Sequence, residues 1–168
     1  MNAKKLVLPG VGHFQAAMQC LQSTGLTEAL NVAVLEKQVP VLGICLGMQL
    51  MARKSEEGSV DGLGWFDAEV VKMRAKNWAK YKIPHTGWNG LRHKRKAALT
   101  DGITEGSEFY FLHSYQWQTR CEGDVLSETE YESMFPSVVG KDNIFGVQFH
   151  PEKSHTVGEK LLRNFVEL

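Results

Sequence analysis

The sequence is sparing with cysteine, has no surplus of either charge, and lacks a long hydrophobic run. Three cysteines, Cys20, Cys45 and Cys121, stand among 168 residues with no CxxC spacing. So odd and scattered a set supports neither a disulfide framework nor a zinc site, and no metal is expected. Nineteen Lys and Arg cancel nineteen Asp and Glu, which leaves no basic excess to recruit nucleic acid or an anionic membrane. The longest apolar stretch, Val39–Ala52, is fourteen residues broken by two Gly and one Gln, short of the roughly 18–20 needed to span a bilayer. At the N-terminus two lysines precede four apolar residues, fewer than the about 7–15 of a signal-peptide core. These absences point to a soluble, reduced, cytoplasmic protein. What is present is an ordinary globular mix, 43% hydrophobic and 23% charged. At roughly 100–200 residues per domain, one domain over 1–168 is expected.

Hydrophobic patterning gives an α/β reading. Lys5–Leu8 predicts a short buried strand running into the loop Pro9–His13. Phe14–Gln22 carries Phe14, Ala17, Met18 and Leu21 at helical spacing, and Thr27–Lys37 carries Leu30, Val34 and Leu35. Val39–Ile44 is a continuous apolar run, as in a strand covered on both faces, and Gly47–Arg53 follows as helix. Further strands are predicted over Trp65–Met73, Glu108–Leu112, Gln116–Thr119 and Ile144–Phe149, with weaker signals over Val125–Thr129 and Ser137–Val139. Val157–Leu168 closes as an amphipathic helix. The pattern implies a mostly parallel twisted sheet with flanking helices.

Gly43-Ile44-Cys45-Leu46-Gly47, between an apolar strand and a helix, has the form of a nucleophile elbow with Cys in place of Ser. Flanking glycines allow a sharp strained turn that exposes the sulfur. The helix that follows is expected to aim N–H groups and partial positive charge at the sulfur, lowering the thiol pKa. The Leu46 N–H is placed to donate to an oxyanion. Taken alone, Cys45 also reads as a small core residue. Cys20 and Cys121 have no such setting. A thiolate needs a base that later protonates the leaving group. His150 ends the apolar run Ile144–Phe149, much as Cys45 ends its own, and sites of parallel sheets gather beyond the carboxyl ends of strands. Glu152, across Pro151, is placed to hold the imidazole tautomer, the third role of a triad. A lone HPE reads more readily as a strand ending in a polar turn.

Together the fragments PGVG at 9–12, GICLGMQ at 43–49 and GVQFHPEKS at 146–154 resemble the triad-type (class I) glutamine amidotransferases. IPHTGWN at 83–89, FYFLHSY at 109–115 and KLLRNF at 160–165 narrow the resemblance to the glutaminase subunit of imidazole glycerol phosphate synthase. The resemblance covers essentially the whole chain and implies a flavodoxin-like amidotransferase fold and glutamine hydrolysis without a cofactor. Cys45, His150 and Glu152 would form the triad, with Gly12 and Leu46 at the oxyanion. Gly10, Gln49, His113, Ser114 and Tyr115 would contact glutamine. The implied partner is a (β/α)₈-barrel synthase that receives the ammonia and makes imidazole glycerol phosphate and aminoimidazole carboxamide ribotide. Pro84, Trp88, Tyr110 and Lys153 would lie on the docking face.

The sequence departs from that pattern in three places. It contains no DYGxGN-like opening strand and helix, so an internal start at Met1 is expected. Thr86 replaces a bulkier residue, and His13 a small one. These departures keep open a paralogue that feeds ammonia to surface-sugar amidination, and an inactive remnant. A cysteine peptidase or deglycase-like hydrolase is disfavoured by HPE.

Overall fold

A computed structural model describes residues 3–58 and 60–168. Eleven strands occur among them, in the order β1 Leu6–Gly10, β2 Val41–Cys45, β3 Lys54–Ser55, β4 Ala68–Lys72, β5 His85–Gly90, β6 Arg92–His93, β7 Glu108–His113, β8 Tyr115–Thr119, β9 Val125–Tyr131, β10 Ser133–Lys141 and β11 Ile144–Val147. The helices are α1 Phe14–Ser23, α2 Leu26–Asn31, α3 Leu46–Leu50 and α4 His155–Glu167. None is long and apolar enough to cross a membrane.

The main sheet runs β1-β2-β11-β10-β9-β6. Its first three strands are parallel, and antiparallel pairs extend it through β10, β9 and β6. In the parallel part Gly10 lies opposite Cys45, and Ile44 opposite Val147. Three strands therefore end at one level, and the loops leaving them share one rim. That register brings His150 to the rim where Cys45 sits, although they are far apart in sequence.

The α/β reading holds, with helices on both faces. Residues of β2 alternate between two cores. Val41 packs with Phe14, Met18, Val34 and Met48 on one side. Leu42 and Ile44 pack with Phe109, Phe149, Leu161 and Phe165 on the other. All five β2 residues are buried, as the continuous apolar run predicts. β1 is an edge strand, which tolerates Pro9 because no ladder N–H is needed on the open side. Val7 on it is half exposed.

Several boundaries differ from the sequence reading. The helix after Cys45 spans only Leu46–Leu50, rather than Gly47–Arg53. The predicted helix Thr27–Lys37 begins at Leu26 and widens after Asn31 into a π-turn, where the Lys37 N–H reaches the Val32 carbonyl five residues back. β5 was not foreseen, because HTGWNG has little strand propensity; its pairing with β7, from His85 opposite His113 to Gly90 opposite Glu108, holds it.

Candidate active site

Cys45 has φ 53° and ψ −110°, a left-handed strained conformation for a side-chain-bearing residue. Both flanking glycines are required by close approach. A Cβ at Gly43 would lie 2.7 Å from the Met48 nitrogen, and one at Gly47 would lie 1.7 Å from the Leu8 carbonyl oxygen. The helix can therefore turn back against β1 and β2 only with hydrogen at both positions. The elbow read from sequence is realised here.

His150 follows β11 and is fixed from three directions. Its N–H donates to the Tyr110 carbonyl at 2.9 Å, and Ser154 Oγ donates to its carbonyl at 2.6 Å. A single turn over Pro151–Lys153 swings Glu152 back beside the ring, with His150 Nδ1 and Glu152 Oε1 2.7 Å apart. The carboxylate only accepts, so Nδ1 carries the proton and Nε2 is the free base. Nε2 is buried and has no hydrogen-bond partner. Cys45 and His150 line the same cavity of about 260 Å³, together with Gly12, Gln49, His113 and Tyr115. No hydrogen bond joins sulfur to imidazole. The thiol instead donates to the Leu112 carbonyl at 3.8 Å.

The resting thiol corrects the sequence reading. Its pKa is raised to about 11 rather than lowered, chiefly because burial removes water from the anion. The Leu46 N–H, the Gln148 amide and Lys153 pull it down, while Glu152 pushes it up. The helix behind it has only five residues, too few to offset that desolvation.

Most of the remaining residues expected here do face the cavity. Leu46, Gln49, Ser114 and Tyr115 line it, as does Gly12. Gly10 is a correction: it lies under the elbow, where a Cβ would meet Leu46 Cβ at 3.0 Å, and it does not line the cavity. His113 lines it without a free nitrogen. Nδ1 donates to the Tyr115 carbonyl at 2.8 Å, and Nε2 accepts from His85 Nδ1 at 3.1 Å. Pro84, expected on the docking face, is on the cavity wall. Trp88, Tyr110 and Lys153 form one group. The Trp88 and Tyr110 rings are 6.0 Å apart, and Lys153 Nζ is 5.8 Å from the Tyr110 ring centre.

Sequence reasoning missed four participants. His155 stacks on Trp88 at 5.0 Å. Glu57 stands at the cavity wall and accepts the Phe14 N–H at 2.8 Å. Leu112 takes part through its carbonyl, which no sequence pattern reports. Gln148, fully buried, donates to Cys45 Sγ at 3.7 Å. A glutamine inside the apolar run Ile144–Phe149 was its signal, since a buried polar side chain is the informative exception.

The model of the glutamine amidotransferase class-I family matches residues 2–168. The chain belongs to the class-I glutamine amidotransferases. Among similar members, this amidotransferase is 50% identical to imidazole glycerol phosphate synthase subunit HisH 2 of Methanococcus maripaludis over 99% of its length and 81% of the relative's. It is 45% identical to the HisH 2 subunit of Pseudomonas aeruginosa, over 99% and 82%. Among solved structures it is similar in fold to a glutamine amidotransferase, with a TM-score of 0.71 at 21% identity, over 98% and 78% of the two chains.

Proposed function

We propose that this amidotransferase hydrolyses glutamine to glutamate and ammonia at Cys45. The ammonia passes to a (β/α)₈-barrel cyclase subunit that makes imidazole glycerol phosphate and aminoimidazole carboxamide ribotide for histidine synthesis. The chain acts as one domain in a cytoplasmic heterodimer. The observation that carries this reading is that His150 lines the cavity of Cys45 with its Nε2 buried and unpartnered while Glu152 fixes Nδ1. Identity to two synthase subunits supports the histidine route over the surface-sugar alternative.

In the reaction, His150 Nε2 takes the thiol proton as sulfur attacks the carboxamide carbon. The Leu46 N–H and the Gly12 backbone hold the oxyanion; one such donor is worth roughly 10²–10³ in kcat. His150 then gives its proton to the departing ammonia, leaving a thioester on Cys45. Water, deprotonated by the same nitrogen, attacks the thioester and releases glutamate. Gln49, Ser114 and Tyr115 hold the substrate. Because the resting thiol pKa is raised to about 11, little thiolate exists near neutrality. Activation must supply the imidazole contact that the resting cavity lacks. Trp88, Tyr110 and Lys153 flank the His150 turn, which suits a docking face that adjusts this contact when the partner binds.

The test is ammonia release with and without the barrel subunit and its nucleotide ligand. Weak activity alone and strong stimulation with both are expected. Cys45→Ala should abolish turnover and leave partner binding intact. Unchanged ammonia release in that variant would remove Cys45 from the mechanism.

A further inference from the structure

The buried amides of Gln49 and Gln148 form a short chain that ends on the reacting sulfur. Gln49 Nε2 donates to the Tyr115 carbonyl at 3.1 Å and to Gln148 Oε1 at 3.1 Å. Gln148 Nε2 donates to Cys45 Sγ at 3.7 Å. The two ends of a carboxamide are chemically distinct, so this pattern fixes the orientation of Gln148. If it flipped, oxygen would face the sulfur and one NH₂ would face another. Gln49 cannot flip to accommodate that, because its NH₂ is held by a carbonyl that only accepts. The Gln148 backbone is also pinned, its N–H donating to the Ser137 carbonyl at 3.0 Å.

The contacts of the sulfur differ in what they favour. The Leu112 carbonyl suits only the protonated thiol and repels a thiolate. Gln148 offers an N–H to either form and is worth more to the anion, because hydrogen bonds to charged groups are about twice as strong as neutral ones. We propose that Gln148 is a further catalytic residue, whose carboxamide, oriented by Gln49, stabilises the Cys45 sulfur whenever it carries negative charge. The inference rests on Cys45 being the nucleophile.

The charge develops twice. In acylation the S–H proton goes to His150 Nε2, the sulfur–carbon bond forms, and the carbon–nitrogen bond breaks as His150 protonates ammonia. In deacylation water adds to the thioester carbon and its proton goes to His150. The carbon–sulfur bond then breaks, and its electron pair returns to sulfur facing the Gln148 N–H. A donor at the sulfur thus serves the nucleophile of the first step and the leaving group of the second.

Iodoacetamide alkylation of Cys45, followed across pH by mass spectrometry of the peptide containing it, tests this. Cys20 and Cys121, both exposed, are then scored apart. The titratable groups around the sulfur are His150, Glu152 and Lys153 on the turn after β11, His113 on β7, Tyr115 on β8 and Glu57 at the wall. All are unchanged in the variants. Gln148→Met keeps the length of the side chain and removes the donor. It should slow alkylation near neutral pH by roughly tenfold to a hundredfold and move the pH profile upward, the size expected for loss of a hydrogen bond to a charged group. In turnover with the barrel subunit, kcat should fall while KM for glutamine changes little. Gln49→Met leaves the donor but frees its orientation, and should slow alkylation less. Iodoacetamide has no amino-acid part, so that loss cannot come from glutamine binding.

Wild-type alkylation rate and pH profile in folded Gln148→Met overturn the proposal. Should that variant not fold, a wild-type profile in Gln49→Met does the same. If Cys45→Ala still releases ammonia, it is the nucleophile assignment that has failed.

Discussion

His150 and the pair His85 and His113 are buried alike, with 2%, 2% and 6% of their surfaces exposed, and they are wired in opposite ways. In the pair every ring nitrogen has a partner. His113 uses the Tyr115 carbonyl and His85, and His85 Nε2 takes the Asn89 amide at 3.3 Å. The His85 ring lies between Phe111 and Tyr131, at 4.9 and 3.9 Å. Burial holds this pair neutral, His85 at about 4 and His113 at about 3. His150 instead has one nitrogen on a carboxylate and the other bare. Burial alone therefore does not mark a catalytic histidine. What distinguishes His150 is a buried acceptor nitrogen that no protein group satisfies, on a residue that lines the same cavity as the nucleophile, where such a group would otherwise cost the fold.

The comparison breaks most visibly at His150. His150→Ala should lower kcat for ammonia release by at least roughly 10³-fold, within the range of general acid–base catalysis. Partner binding should stay near wild type. A loss below tenfold would mean the bare nitrogen is incidental. Glu152→Gln is subtler. Its amide can donate to Nδ1, which drives the ring proton to Nε2 and removes the base. A loss of roughly 10²–10⁴-fold is expected with little change in melting temperature. If the melting temperature falls with activity, the 2.7 Å contact serves the fold more than the tautomer.

A smaller effect lies on the outer side of the same β5–β7 pair that carries His85 and His113. Trp88 is 44% exposed on β5 and stacked on His155, the form of an aromatic anchor. Trp88→Ala should weaken binding of the barrel subunit by about 2 kcal/mol, roughly 30-fold. Isothermal titration with the purified barrel subunit gives the number. Unaltered affinity would move the docking face elsewhere.

The two regions also differ in how much the sequence discloses. The elbow was legible because its signature is contiguous: Gly43 is dictated by atoms of the turn itself, and Gly47, although its requirement comes from the Leu8 carbonyl on β1, stands in the same five-residue motif. The His150–Glu152 contact was legible for the same reason, since Pro151 and a single turn place a neighbour two residues on. The thiol pKa was not. Its dominant cause is desolvation by burial, which is set by how the whole chain packs around the elbow, and no pattern around Cys45 encodes that. The His85–His113 pair was hidden in another way. Each histidine showed as a lone polar residue, and only the register of β5 against β7, strands of which one has weak propensity, sets them opposite each other.

That register has a consequence for stability. The unfolded chain binds protons at both histidines as pH falls below about 6.5, their ordinary value, whereas the folded protein keeps His85 neutral to about 4 and His113 to about 3. Stability from this pair is therefore complete above pH 6.5 and is lost as pH falls toward 4 and then 3, because the unfolded state binds more protons throughout that window. Each proton contributes a slope of up to about 1.4 kcal/mol per pH unit. His85→Phe keeps a flat ring between Phe111 and Tyr131 and removes one of the two titrations. It should cost about 1 kcal/mol at pH 7.5, where the hydrogen bond to His113 Nε2 is lost. It should also flatten the fall in stability between pH 6.5 and 4.5. Without His85 beside it, His113 has one less group opposing its protonation, which flattens the profile further. Urea midpoints at several pH values in that range measure the slope. If wild type and variant lose stability in parallel, the acid sensitivity of the fold comes from groups other than this pair.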